Sequence, residues 1–361
     1  MRGILERAGQ MMRSAFALIA ILAITLCSFS AIAHSPLGTS DGTTLATASV
    51  IPDPAKSWAI YSSLDDEHAV RYYMFEIEKG ERIYVSLIIS AGARNAGFLP
   101  SFALMGPNLT DENAALLPSY AERLPDEGNG IIVIEGELPA QGTYEPFSPS
   151  GYYEIGELDI DAPASGQYYI VVFYDPEETP GGNFALAVGY LEEFTLEEWL
   201  FLPFTLISVY AWSGMSIILV LAPIAIVLVL GIAWLYSRHR NGKTPKSSAQ
   251  WMTGIAGVLA LSWGANVVFE MISALTYTMI GSEIVITIGF AGVSVLIGVY
   301  MLKIALGDEP KIPVRRGILL IAFGGLMIAF LSGFLIGSIL AISVGISAFF
   351  EEKERQGQAP R

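Results

Sequence analysis

The stretch Trp212–Tyr236, WSGMSIILVLAPIAIVLVLGIAWLY, decides how the rest of the chain is read. Between Trp212 and Trp234 no side chain carries a charge. As a helix this run measures roughly 33 Å, enough to cross a hydrocarbon core of about 30 Å. Trp212 at one end, with Trp234 and Tyr236 at the other, supply the amphipathic rings that suit the two headgroup layers. Arg238, His239, Arg240, Lys243 and Lys246 follow with no acid among them. Basic residues in a short flank mark the cytoplasmic side, so the chain before Trp212 is expected outside the cell.

Charge is divided to match. Between His34 and Glu198 there are 27 Asp/Glu against 6 Lys/Arg, within a chain of net charge −15. The remaining segments are net basic. A strongly acidic external part argues against nucleic acid as a partner and suits cations or basic partners, against the plainer reading of an acidic surface that serves only solubility in a high-salt habitat. Residues 1–33 read as a secretory leader: Arg2, Arg7 and Arg13, an apolar core at 15–26, and Ala31-Ile32-Ala33 at the cleavage position. The alternative is an uncleaved anchor. The single cysteine, Cys27, lies inside that leader, so a processed chain has no disulfide, thiolate ligand or thiol nucleophile.

From Ser57 to about Leu191 the text changes to short alternating runs broken by Gly, Pro and Asn. Strands are expected at 70–77 and 82–90, joined as a hairpin through Lys79-Gly80, and at 101–105, 130–135, 152–160, 167–174 and 183–190. Tyr73, Phe75 and Ile77 point inward from the first, and Ile83, Val85, Leu87 and Ile89 from the second. Tyr169, Val171 and Phe173 are expected inward from the strand at 167–174. About seven strands with little helical periodicity predict an antiparallel β-sandwich over residues 34–191.

Val70–Ser90 (VRYYMFEIEKGERIYVSLIIS), Ala162–Tyr174 (APASGQYYIVVFY) and Gly181–Tyr190 (GGNFALAVGY) resemble the opening and closing strands of bacterial pre-peptidase C-terminal domains. The likeness runs over roughly residues 68–190. It implies a jelly-roll-like sandwich acting as a binding or processing module rather than a catalytic one. The sequence departs from that pattern between Asn108 and Gly151, where a Pro/Gly/Glu-rich insertion intervenes. It carries no peptidase domain, so a role beside a protease does not transfer.

Several external residues invite chemistry. Asn108-Leu109-Thr110 is an N-glycosylation sequon. Asp175, Glu177, Glu178 and Asn183 crowd one loop and offer oxygen ligands to calcium, against the plainer reading of a solvated acidic loop. His34, as a processed N-terminus, with His68 would suit copper, against the plainer reading of a free first residue. There is no histidine paired with a Gly-x-Ser-x-Gly turn, no HExxH and no phosphate-binding Gly loop, so no enzyme is predicted.

Beyond the sandwich, residues 192–211 read as an interfacial amphipathic helix, with Thr195 and Glu198 at capping-box spacing. Spans are expected at 212–236, 251–277 and 284–301, with basic loops at 237–250 and 302–316 inside. The apolar run 317–350 is one long span or a tight hairpin turning near 332–337, giving four or five spans before the polar tail 351–361. Asn266 and Glu270 share a helix face, and an intramembrane carboxylate is a functional candidate, against the plainer reading of structural pairing or exposure at the outer interface. Gly333 and Gly337, like Gly289 and Gly292, permit close helix approach, and the first pair offers an oligomer contact. The combined expectation is a non-enzymatic multi-pass plasma-membrane protein, lodged in the lipid bilayer, whose external domain binds a ligand, glycan or partner protein. The alternative is a transport or metal-handling component using His34, His68 and Glu270.

Overall fold

The computed structural model describes residues 35–37, 42–193, 195, 198 and 207–357. The leader, His34 and residues 199–206 of the expected interfacial helix lie outside them. The described parts of Ala31–Ile217, together with Ala274–Gly281, form one compact unit; Ile218–Ser273 and Ser282–Arg361 belong to the other.

The first unit is a β-sandwich of eleven described strands: β1 Ser35–Pro36, β2 Ser49–Val50, β3 Trp58–Leu64, β4 Val70–Ile77, β5 Arg82–Ser90, β6 Ser101–Pro107, β7 Asn129–Ile134, β8 Thr143–Glu145, β9 Ser150–Asp161, β10 Gly166–Phe173 and β11 Gly182–Val188. One sheet runs β1-β3-β11-β5-β9-β8 and the other β2-β4-β10-β6-β7. A short helix, α1 (Ala91–Ala96), follows β5 and is capped by the Ser90 hydroxyl.

The expected β4–β5 hairpin is not formed. β4 pairs with β10, and β5 pairs with β11 and β9, so the two strands face each other from opposite sheets. Gly80, at φ 84°, makes the connection an arch, and its ends are tied to Ala162 by Gly80 N–H to Ala162 O and Ala162 N–H to Glu81 O. Alternation shows which residues are buried but not which strand lies alongside; an arch and a hairpin bury the same faces.

Between the sheets lie Tyr73, Phe75 and Ile77 of β4, Ile83, Val85, Leu87 and Ile89 of β5, and Phe184, Leu186 and Val188 of β11. From β10 the inward residues are Tyr168, Ile170 and Val172, one position out of phase with expectation. Tyr169, Val171 and Phe173 instead meet a second apolar layer with Tyr72, Met105, Val133, Leu117 and Ala121. The insertion after Asn108 supplies that cover, and Tyr72 Oη accepts from Glu122 N–H at 2.6 Å. A strand covered on both faces is apolar at every position, which erases the period-two signal.

The second unit holds five described helices: α2 Ile217–Arg240, α3 Ser248–Ala274, α4 Ile284–Ala305, α5 Val314–Ala329 and α6 Ile336–Gly357. Of these, α2, α3 and α4 are long and apolar enough to cross a membrane. α3 and α4 pack antiparallel through facing glycines: a Cβ on Gly257 would sit 2.9 Å from Gly298 O, and one on Gly264 3.3 Å from Ala291 O. At one end of this pair the first turn of α3 is joined to the loop after α4, Gln250 Nε2 donating to Gly307 O at 2.7 Å and to Glu309 O at 3.0 Å. The run 317–350 is divided at 330–335 into α5 and α6, with Gly317 against Gly345 and Gly324 against Ile342. The sixteen residues of α5 make about 24 Å of helix, short of a hydrocarbon core of about 30 Å.

Gly333 and Gly337, the expected contact between copies, are buried within this chain, where both meet the Met327 methyl and Gly337 also faces Leu259 and Ala256 O. The close approach they permit is used inside one molecule. Added Cβ atoms on Gly289 and Gly292 of α4 would meet nothing within 4 Å.

Candidate functional site

The sandwich unit includes two stretches that adjoin long apolar helices, and both dock on the six-stranded sheet, one at β3 and β11 and the other beside β8 and β9. Trp212, expected to be a headgroup ring at the start of the span, instead lies against the strands, and α2 begins only at Ile217. Its indole N–H donates to Phe184 O at 2.9 Å and reaches Ser62 O at 3.3 Å. The ring meets Tyr61 edge-on at 5.0 Å, and Asn183 Nδ2 donates to Trp212 O at 2.6 Å. The capping-box residues upstream make both reciprocal bonds, Thr195 N–H to Glu198 Oε2 and Glu198 N–H to Thr195 Oγ1, while Glu198 pairs with Lys56 at 2.8 Å.

The second stretch is Tyr277-Thr278, just beyond α3. Gly142 N–H donates to Tyr277 O at 3.2 Å and Thr278 bridges to Gly142. Gly151 is required beneath it: a Cβ there would lie 2.4 Å from Tyr277 Cε2 and from Thr278 Cγ2. The Tyr153 hydroxyl, at 3.5 Å, faces the same carbonyl of Tyr277.

Next to the Trp212 dock, the outer face of the β3-β11-β5-β9 sheet carries tyrosines and carboxylates. Outward-facing Ala185 and Ala187 of β11 separate Tyr61 of β3 from Ser86 and Ile88 of β5, and Glu154 on β9 accepts from Ser86 Oγ at 2.7 Å. Burial pushes the Glu145 carboxyl up to about 7; N–H bonds from Phe147 and Ser148 oppose this, and the Glu192 charge adds to it. Burial also raises Tyr61 to about 12, helped by the Glu145 charge, and drives Tyr152 well above its usual value for the same two reasons. These phenols stay protonated at neutral pH and present ring faces and O–H donors.

Farther along the face the surface opens. Arg82 binds Asp159 through two N–H···O contacts at 2.8 and 2.7 Å, and its guanidinium lies over the rings of Tyr84 and Tyr190. Glu157 and Asp159 are exposed beside it. Burial, then the charges of Glu154 and Asp159, raise the Glu157 carboxyl. Aromatic rings bordered by carboxylates attract cations by charge and by the ring quadrupole.

The sequence candidates fall elsewhere. Asn108 is exposed at φ 55° in the turn after β6, its N–H bonded to Gly128 O. Asp175 accepts from Glu177 N–H at 2.8 Å, while the Asn183 amide is committed to Trp212. His68 Nδ1 lies 3.1 Å from Asp65 Oδ1. Among the described residues, no three of His, Cys, Asp and Glu converge as a metal would need. Asn266 and Glu270 are both buried in the other unit, Asn266 Nδ2 donating to Glu270 Oε1 at 2.5 Å, one turn before α3 ends. Sequence reading missed Trp212 as a docking residue and the open face around Tyr84. Tyr84 stands one residue out of phase from the inward set of β5, which marked it as outward without indicating a use.

No family model matches the chain, and no curated protein matches it. Among solved structures, it is similar to Aeromonas hydrophila PliG, a periplasmic lysozyme inhibitor of g-type lysozyme, at 16% identity over 39% of this chain and 94% of that one, with TM-score 0.22. It is also similar to the pre-peptidase C-terminal domain of collagenase from Bacillus anthracis, at 14% identity over 38% of this chain and 93% of that one, with TM-score 0.21. The resemblance to pre-peptidase C-terminal domains holds at the level of that segment, and nothing of what either protein does is carried across.

Proposed function

We propose that this chain is a non-enzymatic recognition protein of the plasma membrane, whose acidic β-sandwich stands outside and binds a basic partner. The observation that carries it is the seat of Trp212: this residue, shortly before α2, is bonded to β3 and β11 of the sheet whose neighbouring strands β5 and β9 present Tyr84, Glu154, Glu157 and Asp159 on the outer face. A partner gripping that face would meet the sheet on which Trp212 is seated. The charge of the sandwich, 27 acids against 6 bases from His34 to Glu198, favours cationic surfaces and steers their approach.

The test is surface plasmon resonance on the full chain in nanodiscs, with lysine-rich peptides, glutamate-rich peptides and neutral glycans as probes. Lysine-rich peptides should bind, weaken with added salt, and lose about tenfold or more in affinity on Glu157→Lys, since rim charges act through complementarity. Both Glu157 and Tyr190 are exposed, so Glu157→Lys and Tyr190→Ala leave the sandwich core intact. Preference for neutral glycans, or binding indifferent to both substitutions, would reject the proposal.

A further inference from the structure

We propose that the acidic face takes its basic partner as an added strand: an extended segment with lysine or arginine at alternate positions, bonded antiparallel along the open edge of β9 at 156–161. The placement rests on the basic-partner reading and deepens it. β9 runs from Ser150 to Asp161, but β8, the last strand of its sheet, pairs only with Ser150, Gly151 and Tyr152. Glu137 N–H then donates to Ile155 O at 2.7 Å. Beyond that bond no strand among the described residues lies beside β9 on this side.

Bonds already made show which backbone groups face the gap. Ala162 N–H donates to Glu81 O and Ala162 O accepts from Gly80 N–H, so both groups of Ala162 point towards the β5 side. Tyr84, opposite Asp159, turns its C=O the other way, accepting from Gly189 N–H. Bonded and non-bonded pairs alternate along an antiparallel ladder. Tyr84 and Asp159 are therefore a non-bonded pair, as are Ser86 and Glu157, and Arg82 and Asp161. The N–H and C=O of Glu157, Asp159 and Asp161 accordingly point out of the sheet, and no backbone bond among the described residues satisfies them. Such an edge is a template for another chain. The side chains choose the chain. Glu157, Asp159 and Asp161 are exposed, with Leu158 buried between them. Residues directly opposite in an antiparallel pair share a face, so a second copy of β9 would set acid against acid, whereas lysines or arginines would meet carboxylates. The intervening residues of the added strand turn to the core side, where Ile160 is half-buried at the rim and β-branched side chains suit. Main-chain bonds supply the affinity and the alternate side chains the selectivity.

Surface plasmon resonance on the full chain in nanodiscs tests this with the peptide Lys-Thr-Lys-Val-Lys-Thr-Lys and two isomers, one N-methylated at its inner lysines and the other at its threonines. The parent and the threonine-methylated isomer should bind alike. The lysine-methylated isomer should bind about tenfold or more weakly, because its methyl groups block the bonds to the edge. Asp161→Pro, which removes an edge N–H, should weaken the parent peptide more than Asp161→Asn, which removes only the charge. The isomers are compared on the wild-type chain, so that result does not depend on how a variant folds. Equal binding of the two isomers, or equal effects of the two Asp161 substitutions, would overturn strand addition. Equal binding that still falls with salt and with Glu157→Lys would overturn it while leaving the basic-partner reading in place; no binding by any of the peptides would reject both.

Discussion

Tyr168→Ala is expected to destabilise the sandwich by about 4 kcal/mol, while Tyr168→Phe should cost about 1 kcal/mol. Tyr168 is fully buried in the middle of β10. Its ring stacks on Phe75 from the neighbouring strand at 5.9 Å and fills the space that Gly106 leaves on the other side, where a Cβ would lie 2.2 Å from the ring. Its hydroxyl donates to Ala164 O at 2.8 Å and lies 3.1 Å from Pro107 O, fastening the turn before β10 to the end of β6. Alanine removes both the ring and the bond and leaves a void that the two sheets cannot close. Phenylalanine removes only the bond. Calorimetry of the full chain in detergent, following the sandwich transition, separates the two; equal shifts would show that the ring is not what holds the sheets together.

The second large effect is on pH dependence. The Glu145 carboxyl, ordinarily near 4.5, is raised to about 7 in the fold. Between those values the folded chain keeps a proton that the unfolded chain has released, so Glu145 lowers stability progressively as pH rises through the window. The full penalty applies above pH 7 and is absent below about pH 4.5. A shift of this size corresponds to at most about 3 kcal/mol, and less for a carboxyl that water still partly reaches. Glu145→Gln supplies a permanently neutral side chain. It should raise the unfolding temperature at pH 8, change it little at pH 5, and so flatten the profile. A variant that matches the wild type at both pH values would place Glu145 outside the buried cluster with Tyr61, Tyr152 and Glu192.

Much of this architecture can be read in the text of the chain, and the failures share a cause. β5 is visible because Ile83, Val85, Leu87 and Ile89 alternate with Arg82, Tyr84 and Ser86, and only one of its faces meets the core. β10 reads YYIVVF, apolar on both faces, because the insertion after Asn108 covers its back; its phase is therefore invisible without that cover. β3, WAIYSSL, carries no clean alternation, since Ala59 and Tyr61 on its outer face are also screened, Tyr61 by Trp212. Trp212 could be recognised as an amphipathic ring next to an apolar run, but an indole seeking an acceptor finds it equally well in a headgroup or in a strand carbonyl. The contact of Arg94 with the Tyr153 ring gave no signal, because the two stand fifty-nine positions apart in sequence.

The bonds from Tyr277 and Thr278 to Gly142 bear on what holds the polypeptide together as an object. The sandwich is joined to α2 by covalent continuity, and the segment after α3 reaches it through space. A chain severed in the Lys243–Lys246 loop would thus give two pieces that still meet at Gly142 and Gly151.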